Sequence, residues 1–164
     1  MAKIALFLFF ISLSAACFSQ ELSLEEASAI IRSPQELSQW YLKDFKYIRE
    51  MPDRWQPAEE TLRLRQGDCE DYAILSHEIL KRMGIRSQII IIKFNNIRPS
   101  HIICAWKEGR YYNFFTNQHF VQTQSESLVE LIEELYPDWR QLIFTNAQKQ
   151  SLAVLNHKNI PATQ

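Results

Sequence analysis

Gly67-Asp68-Cys69-Glu70-Asp71-Tyr72-Ala73 is the stretch on which the reading of this chain turns. From it, Tyr72, Ala73, Leu75, Ile79, Leu80 and Met83 form one broad apolar face. That spacing predicts a helix over 68–83, stopped by Gly84. Asp68 suits the N-cap, and Asp71, three residues on, suits the acid of a capping box. Cys69 then falls in the first turn, where backbone N–H groups lack helical partners and the helix end carries partial positive charge. Both favour the thiolate, the nucleophilic form of a group whose ordinary pKa is about 8.5. An imidazole beside it would favour the thiolate further, and His101 heads a later apolar stretch.

The alternative for any free cysteine is a small buried hydrophobe. Cys104 illustrates it: Ile102-Ile103-Cys104-Ala105-Trp106 is a half-buried strand pattern with no helix start and no capping acid. Side chains alternate along a strand, so His101, Ile103 and Ala105 share one face, while Ile102, Cys104 and Trp106 share the other. On the next strand Tyr112, Phe114 and Thr116 share a face, opposite Asn113, Phe115 and Asn117.

Working outward, Leu22 to Ile31 and Pro34 to Ile48 read as helices, the second opened by Ser33-Pro34. A short helix follows from Pro57 to about Leu64. Ser87 to Phe94, dominated by Gln88-Ile89-Ile90-Ile91-Ile92, reads as a strand buried on both faces. His101–Lys107 and Arg110–Thr116 read as a hairpin turned at Glu108-Gly109. Ser125–Tyr136 is a further helix, capped by Ser125 or Ser127 and ended by Pro137. Trp139–Thr145 is expected as an edge strand. A helix bearing the nucleophile, packed on a small antiparallel sheet bearing His101, is an α+β layout.

Several stretches together carry a family resemblance. They are Trp55-Gln56-Pro57-Ala58-Glu59-Glu60-Thr61-Leu62, then Gln66 to Ala73, Leu80, Met83-Gly84 and His101. Over roughly residues 40–120 the chain resembles the bacterial transglutaminase-like cysteine peptidases of the LapG type. The resemblance implies a papain/transglutaminase-like α+β fold, with Cys69 as nucleophile and His101 as base. It implies a third member on the following strand, typically the Asp of Gly-x-x-Tyr-x-Leu-Asp-Asn. Here that region reads Gly109-Arg110-Tyr111-Tyr112-Asn113-Phe114-Phe115-Thr116-Asn117-Gln118, and no acid lies between Arg110 and Val121. Aligning on the trailing Asn-Gln puts Thr116 at the Asp position with Asn117 beside it. Asn117 is the choice on chemistry, because Asn orients the histidine in papain-type Cys-His-Asn sites; Thr116 is the alternative. The resemblance also implies that Asp68 and Glu70 help hold Ca²⁺, which takes about six to eight oxygen ligands. Their other reading is as helix-start acids that complement the helix dipole. Trp55 is a candidate for the substrate groove, although aromatic residues are more often core.

Lys3, the apolar run Ile4 to Leu13 and the small residues Ser14, Ala15 and Ala16 read as a secretory signal over residues 1–19. Ser14-Ala15-Ala16-Cys17 also resembles a lipoprotein cleavage box; if it is used, Cys17 carries lipid and tethers the protein to a membrane. Residues 20–155 are expected to form one domain and 156–164 a frayed tail. Export would leave Cys69 and Cys104 in an oxidising compartment, so a disulfide between them is the rival to a reactive thiol. With 18 Lys and Arg against 19 Asp and Glu and no basic run, nucleic acid is not an expected partner. The expectation is an exported thiol hydrolase acting on a peptide or isopeptide amide, with no required cofactor and with calcium implied only by the resemblance. Acyl transfer to an amine is chemically adjacent. The alternative is a catalytically degenerate domain that binds a peptide or an envelope protein.

Overall fold

The structure, a computed structural model, describes residues 22–52, 54–95 and 97–157. The expected signal segment, Cys17 and the chain beyond His157 lie outside the described residues.

Two short helices open the fold. In α1 (Leu24–Ile30) Ser23 and Glu26 close a capping box, and in α2 (Pro34–Asp44) Ser33 caps ahead of Pro34. Helix α2 ends four residues before the expected Ile48. Phe45 is extended, and β1 (Lys46–Tyr47) pairs in parallel with β2 (Gln66–Gly67), on the far side of α3 (Ala58–Leu64). The pairing takes the amides of this segment out of the helix: Lys46 N–H donates to Arg65 O at 2.9 Å and Ile48 N–H to Gly67 O at 2.8 Å. Residues 46–48 are thereby tied to the chain that leads into the nucleophile.

Helix α4 (Cys69–Arg82) follows, then β3 (Ser87–Phe94), β4 (His101–Glu108), β5 (Tyr111–Thr116), β6 (His119–Gln122), α5 (Leu128–Leu135), β7 (Trp139–Thr145) and β8 (Ser151–Asn156). The six strands β3–β8 form one antiparallel sheet in the order β6-β5-β4-β3-β7-β8. Strand β7 is therefore internal rather than an edge. The edges are β6 and β8, which sequence reasoning did not delineate, because both are short and β8 carries no buried apolar run. Two residues expected in the tail belong to the fold: Asn156 ends β8, and His157 Nε2 meets Glu133 Oε1 at 2.8 Å.

The sheet has a core on each face. Ile89, Ile102, Cys104, Trp106 and Phe115 pack against α1–α4, notably Leu37, Tyr41, Tyr72, Leu75 and Ile79. Ile90, Ile92, Ile103, Ala105 and Phe114 pack against Leu131 and Ile132 of α5. Strand β3 is thus apolar on both sides, as its isoleucine run requires. The nucleophile helix lies on the Ile102/Cys104/Trp106 face and α5 on the other.

Candidate active site

Helix α4 begins as its first turn dictates. Asp68 is the extended N-cap, and its N–H donates to Asp71 Oδ2 at 3.1 Å. Asp71 is wholly buried and also accepts from Gln56, through the backbone N–H at 2.8 Å and through Nε2 at 3.0 Å. Gln56 Nε2 reaches on to Glu50 Oε1 at 2.6 Å. Gly67 makes the approach possible, since a Cβ there would lie 2.6 Å from Asp71 Cβ. The sequence placed Asp68 and Asp71 in a capping box, which is present, but did not single out Glu50 and the buried Gln56, which join it. Its only signal was the position of Gln56 inside the Trp55–Leu62 segment.

Cys69 and His101 line one cavity of about 340 Å³ together with Tyr47, Glu50, Met51, Asp68, Glu70 and Pro99. The thiol comes from the first turn of α4, and the imidazole from the first residue of β4. The backbone N–H of Ile102, next to His101, faces the sulfur. His101 Nε2 lies 2.8 Å from Thr116 Oγ1, so Nδ1 is the ring nitrogen not engaged by that contact. The ring of Tyr136, the C-cap residue of α5, stands 5.7 Å from that of His101.

The imidazole partner is therefore Thr116 and not Asn117. The register explains this: Ile103 pairs with Thr116, so Thr116 lies on the face shared by His101 and Ile103 and reaches His101 diagonally. Asn117 begins the two-residue turn from β5 to β6 in the left-handed region, with φ of 50°. Asn tolerates that conformation well. Its Oδ1 is buried without a hydrogen-bond partner among the described residues.

The expected lowering of the thiol pKa is also reversed. Burial pushes the Cys69 thiol far above its ordinary value, and the adjacent Glu70 carboxylate adds to this by accepting the thiol hydrogen at 3.2 Å. Asp68 contributes in the same direction, and the Ile102 N–H opposes them. Burial, and after it the nearby Arg98 guanidinium, lowers the His101 pKa. Desolvation thus disfavours the charged form of each group.

Cys69 and Cys104 are both free. Cys104 is fully buried, as expected of a core residue. It does, however, lie on the sheet face that carries α4, so strand alternation is not what separates it from Cys69. Cys69 sits at the end of α4 over the start of β4, whereas Cys104 is deep under the helix. Trp55 does not line the Cys69 cavity. It borders a separate one with Gln56, Pro57 and Ala147, and the Lys149 ammonium lies 4.7 Å from its ring centroid. Asp68, Cys69 and Glu70 bring ligand atoms within 4.8 Å of one another, and both carboxylate residues are nearly buried. Asp68 Oδ1 is buried with no hydrogen-bond partner among the described residues. Two hard, desolvated carboxylates, one with an orphaned oxygen, fit a hard divalent cation; the sulfur between them does not.

The likeness to known proteins follows this geometry. A UPF0252 protein of Archaeoglobus fulgidus is 34% identical over 64 residues, which are 39% of this chain and 20% of that protein, so the chain spans about a fifth of that relative. Calcium-bound LapG of Legionella pneumophila superposes with a TM-score of 0.53 at 15% identity, over 85% of this chain and 77% of LapG. Its EGTA-treated form gives 0.50 at 14% identity, over 84% and 78%. A protein of Cytophaga hutchinsonii assigned as a cysteine protease gives 0.50 at 17% identity, over 60% of this chain and 37% of its own. At these identities the three structures share the fold. Residues 18–121, well over half of the sequence, match the family model of the transglutaminase-like superfamily, and this chain belongs to that superfamily.

Proposed function

We propose that this chain is an exported thiol hydrolase that cleaves a peptide or isopeptide amide through Cys69 and His101, with Thr116 as the third member. One observation carries the reading: a helix-start cysteine and a strand-start histidine line one cavity, with Nε2 of the histidine held 2.8 Å from a hydroxyl. In the first step His101 Nδ1 would take the thiol proton as the sulfur attacks the carbonyl carbon. The oxyanion would lie against the Cys69 N–H, one of the first-turn donors without a helical partner. The imidazolium would then return the proton to the leaving amine, and water would release the acyl group from sulfur. The leader-like segment Lys3–Ala16 supports export. Asp68 and Glu70 are the residues that would hold a calcium ion, with the remaining oxygens supplied by backbone or water. Such an ion would neutralise the carboxylates beside the thiol.

The second reading, a degenerate domain that binds a peptide or an envelope protein, is favoured by the Glu70–thiol hydrogen bond and by a threonine hydroxyl, in place of a carboxylate, at His101 Nε2. Incubating wild type, Cys69→Ser and Thr116→Asp with candidate envelope proteins and with casein separates the two. Cleavage of a restricted partner by wild type, lost in Cys69→Ser, is the expected result. If neither wild type nor Thr116→Asp cleaves anything while Cys69→Ser still binds a partner, the binding reading replaces this one.

A further inference from the structure

A threonine in the place of an acid raises a problem of direction. A carboxylate can only accept a hydrogen bond, so it forces the facing ring nitrogen to carry the proton. A hydroxyl both accepts and donates. Were Thr116 to donate to His101 Nε2, the ring proton would move to Nδ1, the nitrogen that must be free to receive the thiol proton. The wrong tautomer is what disables a triad whose Asp becomes Asn. Something must therefore occupy the single hydroxyl proton of Thr116.

Tyr136 is the group in place to do so. Its ring stands 5.7 Å from the His101 ring, and its hydroxyl lies within reach of the Thr116 side chain. It is half-buried at the C-cap of α5, where its N–H is held by Ile132 O at 2.8 Å. The phenol thus comes from a different element and a different core than the thiol, and it approaches the hydroxyl on which His101 rests.

We propose that Tyr136 is a positioning residue for His101: its phenol oxygen accepts the Thr116 hydroxyl proton, so Thr116 accepts from Nε2–H and Nδ1 stays unprotonated toward Cys69. The two hydroxyls together perform the one-way acceptor role that a carboxylate performs alone. The proposal rests on the assignment of Cys69 and His101 as the reacting pair, but its test needs no substrate.

The test is ¹⁵N NMR of the His101 ring in labelled protein at neutral pH, assigned with His101→Gln, alongside the rate of Cys69 alkylation by iodoacetamide. Wild type is expected in the Nε2–H tautomer. Tyr136→Phe keeps the ring packing and should give a mixture of tautomers. Its alkylation should be about fivefold slower, the loss of one net hydrogen bond of about 1 kcal/mol. Thr116→Ser should retain the wild-type tautomer, and Thr116→Val should lose it; these two decide the matter if Tyr136→Phe folds poorly. A wild-type Nδ1–H tautomer, or a Tyr136→Phe spectrum identical to wild type, overturns the proposal. Failure to cleave any protein would count against the hydrolase reading and leave the tautomer result standing.

Discussion

Replacing Gly67 with alanine tests how the nucleophile helix is held. The backbone of Gly67 is not in the left-handed region, so the substitution meets no dihedral penalty. It meets Asp71 instead: the new Cβ would lie 2.6 Å from Asp71 Cβ, 2.6 Å from Oδ2 and 3.0 Å from Cγ. Rotating the Asp71 side chain relieves the contacts with Oδ2 and Cγ but cannot move its own Cβ, so β2 or the first turn of α4 must shift. Asp71 accepts three hydrogen bonds, from Asp68 N–H, Gln56 N–H and Gln56 Nε2, and a shift weakens all of them. Overpacking alone typically costs 1–3 kcal/mol, so about 2 kcal/mol is assigned to it. Partial loss of hydrogen bonds to a buried charge adds about 1–3 kcal/mol. The reduced freedom of the unfolded chain returns about 0.4–1 kcal/mol. The net loss is about 2–4.6 kcal/mol, a fall in Tm of roughly 6–17 °C for a domain of this size. Thermal unfolding by circular dichroism reads the fall, and iodoacetamide kinetics at Cys69 read the accompanying displacement of the thiol. A Tm within about 2 °C of wild type together with unchanged alkylation would refute the claim that Asp71 clamps the helix start.

Four other outcomes are expected. Iodoacetamide at neutral pH labels Cys69 slowly, because its thiol pKa is raised, but in preference to the fully buried Cys104; preferential labelling of Cys104, mapped by mass spectrometry, would contradict the site. Calcium at about one hundred times its Kd should stabilise the fold by about 2.7 kcal/mol, and Asp68→Asn with Glu70→Gln should abolish the shift; an unchanged calorimetric Tm in wild type rejects the ion site. Burial lowers the pKa of His77, whose Nδ1 lies 2.9 Å from Ser87 Oγ. Its stabilising contribution is present above the ordinary histidine pKa and is lost as pH falls below it toward the lowered folded value, so urea midpoints should drop from pH 7 to 5 more steeply in wild type than in His77→Asn. Trp55→Ala should lower the Tm while leaving KM for a cleaved partner unchanged, because Trp55 borders a different cavity; a raised KM at constant stability would return Trp55 to the substrate groove.

What the sequence determined by itself was whatever depends on neighbours along the chain. The apolar period of 72–83, its capping acids and Gly84 specify helix α4 and place Cys69 in its first turn. The isoleucine run specifies a strand buried on both faces, and Gly109 specifies the β4–β5 hairpin, whose turn falls at Gly109-Arg110, one residue beyond the expected Glu108-Gly109, and which brings His101 and Thr116 onto neighbouring strands. Only the tertiary structure decided what depends on register, layering and burial. The pairing of Ile103 with Thr116 selects Thr116 over Asn117, because residues on opposite faces cannot both reach one imidazole. Parallel pairing of Lys46–Tyr47 with Gln66–Gly67 ends α2 early and carries Tyr47 to the cavity. The thiol pKa rises instead of falling, because the helix end that would favour the thiolate is also desolvated and shares its space with Glu70. Tyr136 reaches the site through the packing of α5 on the second face of the sheet, and no local pattern encodes that meeting.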